Sequence, residues 1–281
     1  MDFDVNRTRL GQPDMFFRFR VPEEGILLTK ANLNPEVMLL IVERNNTHRA
    51  LLLRQMAYHH VAQGELEGEP FVATFCGICH SGVVLVPLID EELYHFSAGG
   101  LYDGTVLLID DESNTYWNHM TGEAVYGPLK GKKLKMSPLR IMNVQSALEE
   151  DANTTISISK FKSMKSRIFG WIGKKFLYGK GYFPPGFHKT MGKSDDRLPE
   201  MTNGLGIMIE NIRRFYPLDV IGDGIKEEVL GHNLIIKIRT FDKVPFAKWL
   251  DSEEYPPQLF CRWYGFSYTF PNCEIFEGID N

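Results

Sequence analysis

Cysteine is scarce in this chain of 281 residues, and neither sign of charge is in large excess. Four cysteines, Cys76, Cys79, Cys261 and Cys273, are too few for the stapled framework of a small secreted domain. With 43% hydrophobic residues the chain can build a core without one. A net charge of −5 removes the general case for nucleic-acid binding. No apolar run approaches the roughly 18–20 residues that cross a bilayer. The opening Met1-Asp2-Phe3-Asp4-Val5-Asn6-Arg7 lacks the basic-then-apolar order of a secretory leader, which sets the expectation of a cytoplasmic protein. Also missing are a Gly-rich phosphate loop, a Gly-x-Ser-x-Gly elbow and a dinucleotide fingerprint, so nucleotide-dependent and serine-hydrolase chemistry have no basis in the sequence.

What is present is Cys76-Gly77-Ile78-Cys79-His80, directly after the apolar run Phe71-Val72-Ala73-Thr74-Phe75. Two thiols at this spacing can share one metal ion or close on each other as a disulfide. The pattern also matches c-type haem attachment, but that chemistry needs export, and the motif follows a strand. The metal reading takes Cys76, Cys79 and His59 as three ligands around an open position, with His60 or His80 able to complete the sphere. Soft sulfur with imidazole suits copper, ahead of iron or zinc. A structural zinc would normally bring a second Cys-x-x-Cys pair, absent here. The implied activity is a metal-dependent oxidoreductase acting on a small-molecule substrate. His60, His80, His119 and Glu123 are its candidate catalytic groups, Glu123 as a general base. The competing readings are a non-catalytic metal carrier and a thiol–disulfide redox protein. The redox reading lacks the helix N-terminus that activates thioredoxin-like pairs. His95 is a weaker candidate, and Cys261 and Cys273, in aromatic surroundings, read as packing residues.

The pattern of apolar residues predicts a mainly β protein (α+β) of antiparallel, barrel-like sheets. It consists of two related halves with a basic helical insertion between them. Val37–Arg44 and Arg49–Gln55 read as a hairpin across Asn45-Asn46-Thr47-His48. Phe71–Phe75, Gly82–Leu88, Leu93–Ser97 and Thr105–Asp110 read as further strands, and Val144–Glu150 as a short helix. The expected organisation is an N-terminal extension (1–35), a β-rich domain carrying the Cys/His site (36–155), a basic insertion (156–194) and a second β-rich repeat (195–281). The repeat is visible as Leu39-Leu40-Ile41-Val42-Glu43 against Gly206-Ile207-Met208-Ile209-Glu210, and as Arg49-Ala50-Leu51-Leu52-Leu53 against Arg214-Phe215-Tyr216-Pro217-Leu218. In that alignment Arg239-Thr240-Phe241-Asp242 stands where the first half carries Cys76–His80. The insertion holds nine Lys or Arg and no acid. Ser159–Leu177 reads as a basic amphipathic helix, and residues 159–180 as a contact for an anionic surface, set against the plainer reading of a solvated linker.

Several stations resemble those of the bacterial family known as domain of unknown function 3179 (DUF3179). They are Arg49-Ala50-Leu51-Leu52-Leu53, Tyr58-His59-His60, and Thr74-Phe75-Cys76-Gly77-Ile78-Cys79. Asp111–Trp117, Thr121–Gly131 and Asp196-Arg197-Leu198-Pro199 extend the resemblance over most of residues 36–270. It implies no established activity. It aligns His59 with the family's histidine and Cys76 and Cys79 with its cysteine pair. The chain departs from the family pattern at His60, where Glu is usual, and at His80, where a small or polar residue is usual.

Overall fold

The computed structural model describes residues 3–13, 15–137, 139–161, 183–252 and 254–278. Most of the expected basic helix, from residue 162 through Leu177, and the contact surface to residue 180 lie outside them. The described chain is mostly β, in antiparallel sheets set in a half-barrel, propeller-like arrangement. Among the described residues no helix is long and apolar enough to cross a membrane.

The apolar run in Met38–Arg44 is continuous because both faces of that strand are buried. Leu40 and Val42 enter one apolar cluster, and Leu39 and Ile41 another. Its hairpin partner is Thr47–Leu52, joined through Asn45 and Asn46, both at positive φ (49° and 63°) as a tight primed turn requires. The expected strand Arg49–Gln55 ends early. Leu53–His59 is a helix, formed by Leu-Arg-Gln-Met-Ala, all good helix formers. Its last turn hands the chain to the hairpin Val61–Leu66/Glu69–Thr74, turning at Glu67 and Gly68. The expected helix Val144–Glu150 is present, with Asn143 Oδ1 accepting from Ser146 N. Leu93–Ser97 is split between a short strand, Glu92–Leu93, and the start of Phe96–Tyr102.

The second half repeats this unit. Asn203–Ile209 and Ile212–Pro217 form the hairpin, Leu218–Ile221 the helix, and Ile225–Val229 with His232–Ile238 the second hairpin. Register makes the likeness quantitative. Val42 pairs with Arg49 on one side and Leu139 on the other; Ile207 pairs with Arg214 and Gln258. The turns at Glu67-Gly68 (φ 53° and 74°) and Leu230-Gly231 (53° and 81°) coincide. The following loops coincide as well. Cys76 N donates to Ser81 O at 2.8 Å with His80 at φ 56°, and Arg239 N donates to Val244 O at 3.0 Å with Lys243 at φ 58°.

The same register extends the repeat to a strand–helix unit, Leu139–Asn143 with Val144–Glu150 in the first half and Gln258–Arg262 with Trp263–Thr269 in the second. These units cross over. Arg262 N, from the second half, donates to Cys79 O at 2.8 Å; Asn143 N, from the first, donates to Asp242 Oδ2 at 3.2 Å. The N-terminal stretch is woven in too, with Arg9–Leu10, Phe19–Arg20 and Ile26–Leu27 each pairing at the edge of a different sheet.

The Asp242 side chain is the fully buried anchor of the second clasp, also accepting from Arg239 Nε and Val244 N. Asp242→Ala leaves those donors unmet and is expected to cost about 2–4 kcal/mol. The check is the urea midpoint, and an unchanged midpoint would remove the clasp from the account of stability.

Candidate functional site: a buried Cys–Cys–His cluster

The loop Cys76–Ser81 leaves the strand Glu69–Thr74 and closes through the bridge between Cys76 and Ser81. Closure turns both thiols inward: Cys76 is 3% exposed and Cys79 0%. Arg262 covers the loop from outside, its Nη1 donating to Ile78 O at 2.9 Å. Beneath Cys79 lies Gly265, where an added Cβ would sit 2.8 Å from Cys79 Cβ. A side chain there would displace the loop.

His119 reaches the cysteines from another sheet. The strand Tyr116–Asn118 stops where Asn118 Oδ1 accepts from Met120 N at 2.8 Å, and the resulting turn drops His119 into the core at 0% exposure. The strand is fixed by Trp117, fully buried, whose indole N–H donates to Asp110 Oδ2 at 2.8 Å. His119 Nε2 lies 3.9 Å from Cys79 Sγ and 3.5 Å from Ser81 Oγ. Ser81 Oγ is 2.9 Å from Cys79 Sγ, and Thr74 Oγ1 is 3.3 Å from His119 Nδ1. Tyr264 completes the wall; its hydroxyl donates to Gly104 O at 3.1 Å.

The electrostatics follow from this packing. The hydrogen bond with the Cys79 thiol pulls the Cys76 thiol down to about 7, against burial. Burial pushes Cys79 well up, and it does the same to Tyr264, helped by the two sulfurs beside it. Burial lowers His119 to about 3, with His60 adding to the effect, so its ring is neutral. Among the described residues the cluster holds no carboxylate; its partners are thiols, hydroxyls, an imidazole and a phenol.

The sequence-derived candidates fall into three groups. Cys76, Cys79 and His119 come together. His59 does not join them in this structure: its Nδ1 faces Phe17 O, its Nε2 lies 3.0 Å from Ser159 Oγ, and its ring packs among Phe17, Phe19, Tyr58 and Phe161. His60 and His80 flank the cluster. His60 Nδ1 donates to Phe75 O at 3.0 Å with the ring against Phe16, and His80 is wedged between Phe75 and Phe260. The His80 ring is half-buried overall, but its Nδ1 is sealed from water without a hydrogen-bond partner among the described residues. Glu123 is exposed, on a bridge to Lys133, and His95 pairs with Glu112 at 2.7 Å on the surface. Cys261 and Cys273 are buried, and burial raises both thiols, Cys273 to about 11.

Sequence reasoning did not single out Thr74, Ser81, Tyr264, Arg262 or Gly265. Ser81 was within reach, lying two residues past Cys79. The second-half residues were not, because their partners follow only from the crossed strand–helix units. Among the described residues no group of three or more His, Cys, Asp or Glu side chains is placed so that it could hold a metal ion.

The family comparison bears on these same positions. The sequence model described as "Protein of unknown function (DUF3179)" matches residues 24–246, which include Cys76, Cys79, His119 and the second half as far as Phe246. The chain belongs to the DUF3179 family. No curated protein and no solved structure matches it. As a DUF3179 member it shares a family with no stated activity, so its chemistry rests on the geometry above.

Burial makes the site acid-sensitive. In the folded chain His80 is lowered from 6.5 to about 4 by burial, with the Arg262 charge contributing, and His119 to about 3. Both rings stay neutral in the fold while the unfolded chain takes up protons below pH 6.5. Stability is therefore full above pH 6.5 and falls as pH drops, by up to about 1.4 kcal/mol per pH unit for each ring. The loss at His80 is complete near pH 4. Urea titrations at pH 7, 6 and 5 should show the slope, with His80→Asn shallower; equal slopes in the two proteins would contradict the assignment.

Proposed function

We propose that this DUF3179 chain binds one soft transition-metal ion through Cys76, Cys79 and His119, with copper(I) ahead of zinc or iron. The carrying observation is the 3.9 Å between Cys79 Sγ and His119 Nε2. A sulfur at about 2.3 Å and an imidazole nitrogen at about 2.0–2.1 Å from one ion stand about 3.6 Å apart in tetrahedral and about 3.8 Å apart in trigonal geometry. The Cys79–His119 separation is thus close to that of two ligands on one ion, and Cys76 would have to close on it when the metal binds. The donor set is two sulfurs and one neutral imidazole, which favours soft ions over calcium or magnesium. Cys76, whose proton is the easier to lose, would ionise first.

Binding or carriage is favoured over turnover. An oxidoreductase acting on a small molecule must bring that molecule beside the metal. Here the sulfurs are 0–3% exposed, with Gly265 and Tyr264 packed against them. A second reading, a thiol–disulfide couple, is supported by the opposed shifts of the two touching thiols, Cys76 down and Cys79 up.

The test is elemental analysis of protein purified without affinity-resin metal and reconstituted under reducing conditions. Copper or zinc at about one per chain is expected, lost in Cys76→Ser/Cys79→Ser, weakened in His119→Gln and kept in His59→Gln. Loss in His59→Gln with retention in His119→Gln would reject this ligand set. Absence of metal in the parent protein, with a Cys76–Cys79 disulfide forming on mild oxidation, would transfer the site to the redox reading.

A further inference from the structure

The two hydroxyls beside the cluster lie on opposite nitrogens of the His119 ring. Thr74 is fully buried at the end of its strand, and its backbone N–H donates to Val83 O at 2.9 Å. Its Oγ1 accepts from Val83 N at 3.2 Å, lies 3.4 Å from Val83 O and 3.3 Å from His119 Nδ1. On the other side of the ring, Ser81 Oγ bridges Cys79 Sγ and His119 Nε2, at 2.9 and 3.5 Å. Both hydroxyls come from elements other than the one that carries His119.

Two proton arrangements satisfy these distances. In one, Thr74 donates to Nδ1, and the ring N–H at Nε2 points at Ser81 and the Cys79 sulfur. In the other, Nδ1–H donates to Thr74 Oγ1, Thr74 donates to Val83 O, and Nε2 is left as an acceptor for Ser81. The first arrangement aims an N–H at a thiol sulfur, a weak acceptor, and points the hydroxyl proton away from the carbonyl beside it. The second gives the best neutral acceptor in the cluster, the imidazole lone pair, to the proton chain from Cys79 through Ser81. Outer hydrogen bonds of this kind fix the tautomer of ligating histidines.

We infer that Thr74 is a positioning residue: by accepting a hydrogen bond from Nδ1–H of His119 it keeps Nε2 bare and facing the Cys79 sulfur. Among the described residues the Thr74 hydroxyl is bonded to Val83 and His119 and to neither sulfur, so it would act only through His119. The inference rests on the reading of Cys76, Cys79 and His119 as a ligand set for its use, though not for its first test.

That first test is ¹⁵N NMR of the His119 ring in metal-free protein at pH 7. The parent protein is expected to show Nδ1 protonated and Nε2 unprotonated. Thr74→Ser should keep this pattern, and Thr74→Val should abolish or reverse it. The opposite tautomer in the parent protein overturns the inference without any variant, and so does a Thr74→Val spectrum identical to the parent's. The second readout is titration with zinc alone. Thr74→Val is expected to lower affinity about 10–100-fold, with Thr74→Ser close to the parent. Zinc affinity equal in all three proteins would overturn the positioning role at the metal. No zinc binding in any of them, with the expected NMR pattern intact, would instead sink the metal reading and leave the tautomer assignment standing.

Discussion

One backbone hydrogen bond, from Arg262 N to Cys79 O, ties the cysteine loop to the other half of the molecule. The loop has few bonds of its own beyond the Cys76–Ser81 bridge. Its shape is imposed from outside: Arg262 holds two of its carbonyls, and Gly265 lets the backbone of the following helix come up against Cys79. The same approach excludes water and sets the electrostatics. Once the sulfurs and His119 are dry, the hydrogen bond with Cys79 pulls the Cys76 thiol down and burial holds the imidazole neutral. A site made this way is stable only if the two halves stay docked.

The crossed repeat explains why they do. Each half offers a strand–helix unit that clasps the loop of the other, so neither loop is completed within its own half. The second loop shows what the scaffold does without thiols. In register with Cys76 and Cys79 stand Arg239 and Asp242, an ion pair with 2.9 Å between Arg239 Nε and Asp242 Oδ2. Side chains at these two positions meet whichever residues occupy them. One copy uses that proximity to pair charges and bind Asn143; the other uses it to bring two sulfurs together. A pair of thiols and a pair of charges thus occupy the same positions in two versions of one loop.

Much of the fold was legible because its signals are local. The two-sided burial of Leu39–Val42, the asparagine turn and the helix Val144–Glu150 follow from patterning and turn chemistry. The repeat follows from matched short runs: Arg49–Leu53 against Arg214–Leu218 keeps the observed register, while Leu39–Glu43 against Gly206–Glu210 is displaced by two residues, since Val42 corresponds to Ile207. The helix Leu53–His59 was hidden because Leu53 extends the apolar run Ala50–Leu52 by one residue, and the switch to helical period becomes visible only over the next turn. The cysteine pair was legible from spacing alone. The histidine beside it was not: His59 and His119 were both candidates, and the nearer one in sequence carried the expectation. A helix ends at His59 and directs its ring to Phe17 O and Ser159, whereas the Asn118 turn sends His119 inward. Partners from the second half, Arg262, Tyr264 and Gly265, were out of reach because they meet the loop only through the crossing.

X-ray absorption at the metal edge of the zinc-loaded protein tests the central claim most directly, because it reads the ligands themselves. Two sulfurs at about 2.3 Å and an imidazole nitrogen at about 2.0 Å are predicted, with the imidazole signal lost in His119→Gln. A shell of nitrogen and oxygen alone, or one that His119→Gln leaves unchanged, would contradict the Cys76–Cys79–His119 centre.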